Sequence, residues 1–155
     1  MLVRKIVEQL FEELEVYHKA ARAAHAEATH EQSKAENKYD TRGLEASYLA
    51  RGQSKQAAEI AQAIERFEKL SIRDFAEGDA IEVGAFVELE SKNERSFYFI
   101  GPQAGGTEVI HEKKEVLIIT PQSPLGQQVF GKKAGDRVQM KIGPTRNEYK
   151  IVSVR

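Results

Sequence analysis

The chain contains no cysteine. Disulfides, thiolate metal centres and cysteine nucleophiles are therefore excluded together. It has no tryptophan, and none of its four prolines comes before Pro102, so nothing in the first hundred or so residues breaks a helix chemically. A surplus of charge is also missing. Twenty-three basic residues face 24 acidic ones, for a formal net charge of −1, with no basic tail and no lysine-rich stretch. Strong autonomous binding to a nucleic-acid backbone needs clustered cations, so a protein partner fits this composition better. Finally, there is no long apolar run. Met1-Leu2-Val3-Arg4-Lys5 is followed closely by Glu8, Glu12 and Glu13. That start reads as neither a signal peptide nor a membrane span, and a cytoplasmic location without a membrane partner is the resulting expectation.

What remains is 41% hydrophobic and 30% charged. This suits a modest core under a large solvated surface, in an elongated chain or two small domains. The hydrophobic pattern divides accordingly. Val3, Val7, Leu10, Leu14, Tyr17, Ala21, Ala24 and Ala28 are spaced alternately by four and three residues, which predicts a helix from residue 3 to about residue 36. Ala46, Ala50, Gln53, Ala57, Ile60, Ile64 and Phe67 repeat the spacing. Between them, Glu36-Asn37-Lys38-Tyr39-Asp40-Thr41-Arg42-Gly43 is rich in turn and cap formers, and Asp40 or Thr41 could cap the second helix. Folding the two seams back on each other matches Ala28 with Ala50, Ala21 with Ala57, Leu14 with Ile64 and Leu10 with Phe67. An antiparallel hairpin with its tip near Tyr39 follows, with an arm on the order of 50 Å at about 1.5 Å per residue. The intramolecular hairpin predicts a monomer. A dimeric coiled-coil scaffold is the competing reading of the same seams.

After Phe75 the period changes. Ala76-Glu77-Gly78-Asp79 reads as a linker, giving domains of 1–75 and 76–155. Strands are predicted at 85–89, 96–100, 116–119, 137–142 and 148–154, with turns at 91–94 and 143–147. Gly101 to Gly106 reads as a flexible turn. Ser123 to Gly131 reads as a short helix, with Ser123 as cap, Pro124 at the first helical position and Gly131 at the end. The fold class is thus α+β: a long antiparallel helical hairpin followed by a small β-rich domain with one short helix. Four histidines offer no metal spacing; His18, His25, His30 and His111 are expected to be solvated or beside the seam.

The segment Ser123-Pro124-Leu125-Gly126-Gln127-Gln128-Val129-Phe130-Gly131-Lys132-Lys133-Ala134-Gly135-Asp136-Arg137-Val138 resembles a stretch of the GreA/GreB transcript cleavage factors. That family carries a Ser-Pro-apolar run, a short helix, then Gly-Lys and an acidic turn into a strand. Gly84 to Leu89 resembles the strand that opens the family's C-terminal domain, and Glu36-Asn37 sits where the family has an acidic residue followed by asparagine. The resemblance implies an FKBP-like domain that docks on the rim of the secondary channel of bacterial RNA polymerase through Ser123, Pro124, Leu125, Gly126, Gly131 and Lys132. It also implies a coiled coil that enters the channel, close to nascent RNA. There, tip carboxylates help hold a Mg²⁺ shared with the polymerase active centre, and the protein is no enzyme by itself and binds no cofactor tightly. Such a cation takes hard oxygen ligands, and a metal pair can activate water. Glu36 and Asp40 are the carboxylates expected to serve, beside Tyr39, Asn37 and Ser33. One departure stands out: Ser33 occupies the position at which the family's cleavage factors carry an aspartate. A non-cleaving occupant of the channel is the alternative, and an FKBP-like peptidyl-prolyl isomerase is a further one.

Overall fold

The computed structural model describes residues 2–29, 42–142 and 144–155. Two helices open the chain, α1 (Leu2–Thr29) and α2 (Arg42–Glu68), and together they form the helical hairpin. Ser33, Glu36, Asn37, Tyr39 and Asp40 lie outside the described residues, as does any cap at Asp40 or Thr41. The chain divides into two compact units, one of residues 7–65 and one formed by residues 1–6 with 66–155.

In the hairpin unit every heptad position whose burial is described is buried or half-buried. Leu10, Ala57 and Ile64 are buried, while Val7, Leu14, Tyr17, Ala21, Gln53 and Ile60 are half-buried. Ala63 is buried as well, although the seam omits it. The apolar stripe of α2 is thus wider than a strict a/d line near its C-terminal end, as in helices that face a core rather than a single partner.

The second unit is built on one six-stranded sheet in the order β3-β4-β2-β1-β6-β5. The strands are β1 (Phe86–Ser91), β2 (Glu94–Ile100), β3 (Glu108–His111), β4 (Lys114–Ile119), β5 (Arg137–Ile142) and β6 (Thr145–Val154), with α3 (Pro124–Val129) between β4 and β5. All neighbours are antiparallel except β2 and β4. A parallel pair cannot be closed by a tight hairpin, and β3 with its turn supplies the return. Alternation along each strand gives the sheet two faces. One carries Val87, Leu89, Ile100, Ile119, Val138 and Ile151, which with Ile81 and Val129 make the main core.

The other face is apolar at one end only. There Phe99 lies beside Phe67 from the last turn of α2, ring centroids 6.3 Å apart. Gly101 makes that seating possible, because a Cβ at this position would stand 2.7 Å from Phe67 Cζ and 2.9 Å from Ile118 Cγ2. The segment from Gly101 to Gly106 is tied to β4 at both ends, the Gly101 and Gly106 amides donating to Ile119 and Ile118 at 2.8 Å each. Ahead of the sheet, Asp79 accepts from the Ala76 amide at 2.8 Å and from Arg73 at 3.0 Å. Both bonds favour the carboxylate and hold its pKa below the ordinary value.

Three expectations need correction. β3 was not expected at all. Thr145, Arg146 and Asn147 belong to β6 rather than to a turn, since Ile142 pairs directly with Thr145. His111 is half-buried, not solvated: its ring meets Phe86 edge-on at 6.4 Å, and its Nδ1 is buried with no hydrogen-bond partner.

Candidate docking surface

The chain leaves β4 through a tight turn that sets up α3. The Ser123 amide donates to the Thr120 carbonyl at 3.0 Å, and the Ser123 hydroxyl donates to the same oxygen at 2.7 Å. The hydroxyl also accepts from the Gly126 amide at 3.2 Å, with Ser123 in extended backbone (φ −66°, ψ 156°) and Pro124 in the first turn. This is the arrangement expected from the Ser-Pro pair, since the serine satisfies an otherwise unpaired amide and proline lacks one. A side chain at Gly126 has no room. A Cβ would collide with the Thr120 carbonyl oxygen and stand 2.7 Å from Ser123 Oγ.

The exit of α3 is held as firmly. Phe130 caps it, its amide donating to Gly126 at 2.9 Å, and Gly131 follows at φ 81°, a left-handed conformation that glycine adopts without penalty. Gly131 donates to the Ile81 carbonyl and Ile81 donates to that of Lys132, each at 2.8 Å. Farther on, Asp136 accepts from the Lys133 amide at 2.9 Å, and Gly135 and Asp136 bond the backbone of Ile151 on β6 at 2.7 and 2.8 Å. The segment 120–136 is thus pinned to the sheet unit at both ends.

Within it, the residues expected to dock separate into two groups. Gly126 is buried, Ser123 is half-buried in its capping bonds, and half-buried Leu125 packs against the core. Pro124, Gly131 and Lys132 are exposed, together with Gln127, Gln128 and Lys133. Phe130 belongs with them at 45% exposed. Sequence reasoning missed it, because an aromatic beside a helix-ending glycine looks like a core residue. The outward surface of α3 therefore presents proline and phenylalanine with flanking lysines, the mixture of an apolar anchor and a polar rim found at protein interfaces.

A second polar feature lies on the sheet. Glu88 is 7% exposed, accepting from Arg95 at 2.9 Å and from the Ser153 hydroxyl at 3.2 Å. Burial pushes its carboxyl up. The hydrogen bond and charge of Arg95, the Ser153 hydroxyl and the charge of Lys114 together outweigh burial and hold it below the ordinary glutamate value. Lys114 itself sits 4.8 Å over the Phe97 ring. Among the described residues no group of three or more His, Asp or Glu is placed to hold a metal ion. No helix among them is long and apolar enough to cross a membrane.

The family model for the C-terminal domain of GreA/GreB transcription elongation factors matches residues 76–155. No curated protein matches the chain. Among solved structures, GreA factor homolog 1 (Gfh1) of Thermus thermophilus is 22% identical, with a TM-score of 0.40 over 96% of this chain and 94% of that one. Gfh1 of Thermus aquaticus is 23% identical, with a TM-score of 0.42 over 95% of this chain and 92% of that one. A GreA/GreB elongation factor from Nitrosomonas europaea is 16% identical, with a TM-score of 0.38 over 72% and 91%. Similarity at that level says nothing of function. The family match is of another kind. It spans just over half of the chain and takes in the whole sheet, the capped helix and the turn at Asp136, and on that basis the chain belongs to the GreA/GreB family of transcription elongation factors.

Proposed function

We propose that this protein docks on bacterial RNA polymerase through the outward surface of α3 and modulates elongation with its helical hairpin, whose tip reaches the secondary channel. The observation that carries this reading is the division of labour within 123–132. Ser123 and Gly126 fix the helix, while Pro124, Phe130 and Lys132 stand free to meet a partner. At the tip, Glu36 and Asp40 supply the oxygen ligands that suit a Mg²⁺ shared with the polymerase. With that ion the polymerase would cleave its own backtracked transcript, and the protein itself would do no chemistry. A specific observation favours a second reading. Ser33 replaces an aspartate of the family's cleavage factors, and a hydroxyl is a poorer Mg²⁺ ligand than a carboxylate, which favours a channel occupant that does not promote cleavage.

One experiment separates the readings. The protein is added to a backtracked elongation complex with Mg²⁺, and the RNA length and the amount of bound factor are measured together. Shortened RNA that depends on Glu36 and Asp40 establishes cleavage stimulation. Binding without shortening establishes the second reading. If Phe130→Ala and Lys132→Ala leave binding unchanged, the α3 surface is not the dock.

A further inference from the structure

The near-zero net charge of the chain conceals a local surplus. On the sheet face that seats Phe67, the opposite end is open and charged. The register sets Arg137 of β5 opposite Lys150 of β6, and Lys150 opposite Glu90 of β1. Arg146 lies on the same face of β6, four residues from Lys150. With Lys92 from the β1–β2 turn, Arg137, Arg146 and Lys150 line a shallow depression of about 570 Å³ that also includes Glu90 and Glu148. Arg137 is paired with Glu148 at 3.1 Å. Lys92, Arg146 and Lys150 are exposed and have no ion pair among the described residues. Four cations against two carboxylates leave a surplus of two positive charges here, in a chain whose total is −1. In a neighbouring depression of about 420 Å³, Arg95, Lys113 and Lys114 are set against Glu108 and Glu115 beside Phe97 and Tyr98, so the surplus is concentrated on β1, β6 and β5.

We infer that this open face of β1, β6 and β5 binds the phosphate backbone of duplex DNA. Two observations choose that occupant. None of the exposed large apolar side chains (Phe11, Val16, Ile72, Ile110 and Phe130) lies in the depression, whereas a protein partner would want an apolar anchor. No aromatic ring lines it either. Of the aromatic residues on this face, Phe86 stacks on Phe97 at 5.9 Å and Phe99 meets Phe67. Point charges without a stacking platform suit a phosphate backbone better than unstacked bases. The cations sit on neighbouring strands about 4.8 Å apart, with about 13 Å between Arg146 and Lys150 along β6, a spread that follows a backbone rather than a single anion.

The test uses the full chain and a fluorescently labelled duplex of about one to two helical turns, with anisotropy read between 50 and 200 mM salt. Four phosphate contacts predict a log–log salt slope of about −3.6, so affinity should fall about 150-fold over that range. Replacing two cations in R146Q/K150Q should bring the slope to about −1.8 and the loss to about 12-fold. Lys92→Gln, at a turn residue, should remove about 0.9 from the slope, and Lys19→Gln in the hairpin should change nothing. The inference is overturned by no binding at the lowest salt, by a slope that ignores these variants, by tighter binding to a single strand of equal length, or by a poly-glutamate peptide that competes better than unlabelled duplex. No polymerase is present, so this outcome is independent of the docking experiment.

Discussion

Glycine within a helix normally costs about 1 kcal/mol relative to alanine, so Gly126→Ala ought to stabilise α3. The structure predicts the opposite sign. A Cβ there would overlap the Thr120 carbonyl oxygen and stand 2.8 Å from the Thr120 carbonyl carbon. Both are backbone atoms in a turn closed by the Ser123 amide and hydroxyl at 3.0 and 2.7 Å. The helix must lift away from that turn, which weakens those bonds and unseats fully buried Val129. Overpacking typically costs about 1–3 kcal/mol, and a lost hydrogen bond about 0.5–1.5 kcal/mol more. Less the propensity gain of about 1 kcal/mol, the net loss is about 0.5–3.5 kcal/mol, with its middle near about 2 kcal/mol. For a unit of this size the corresponding fall in Tm is on the order of 10 °C. Urea unfolding followed by circular dichroism measures it, and a double-mutant cycle with Ser123→Ala should show strong non-additivity, because both changes act on one turn. A Gly126→Ala protein as stable as the wild type, or additive with Ser123→Ala, would refute the account of how this turn places α3.

Two further outcomes are expected. The Glu88 carboxyl is held below its ordinary pKa, so it contributes stability that is present above the unfolded glutamate value and is lost as pH falls through the lower folded value. Glu88→Gln should flatten that acid limb in a urea titration series and leave stability near neutral pH less favourable, since Arg95 loses its partner. In the β3–β4 turn, Glu112 and Lys113 adopt φ of 51° and 65°, a left-handed pair that favours asparagine and glycine. Lys113→Gly should stabilise the protein by about 0.5–1 kcal/mol, the relief of strain exceeding the added chain entropy; destabilisation in the same assay would contradict it.

That turn also explains what the sequence hid. The strands β1, β2, β4, β5 and β6 were legible because β-branched and aromatic residues alternate between recognisable turns, and α3 because serine, proline and glycine punctuate it. The strand Glu108–His111 has only two strong strand formers, Val109 and Ile110, and its hairpin closes on Glu-Lys, which signals no turn. Phe97 and Phe99 could be placed in a core by alternation, yet nothing local says that Phe67, far earlier in the chain, covers Phe99. The inward role of Gly126 was likewise invisible, because the oxygen that forbids a side chain belongs to Thr120. Around α3, the punctuating serine, proline and glycine were evident, whereas the exposure of Phe130 was not.

The placement of Phe67 has a practical consequence. The match to the family's C-terminal domain begins at residue 76, and a fragment cut there would look like a complete domain. It would nevertheless lose the Phe67 ring that lies beside Phe99 and for which Gly101 keeps a place empty, and Lys5, whose ammonium donates to the carbonyl of Ile110 at 3.3 Å. Such a fragment would carry a wet aromatic surface beside an unguarded sheet margin, a combination prone to self-association. The folding unit therefore has to be drawn around what the sheet touches, and it includes the first residues of α1 and the last turn of α2.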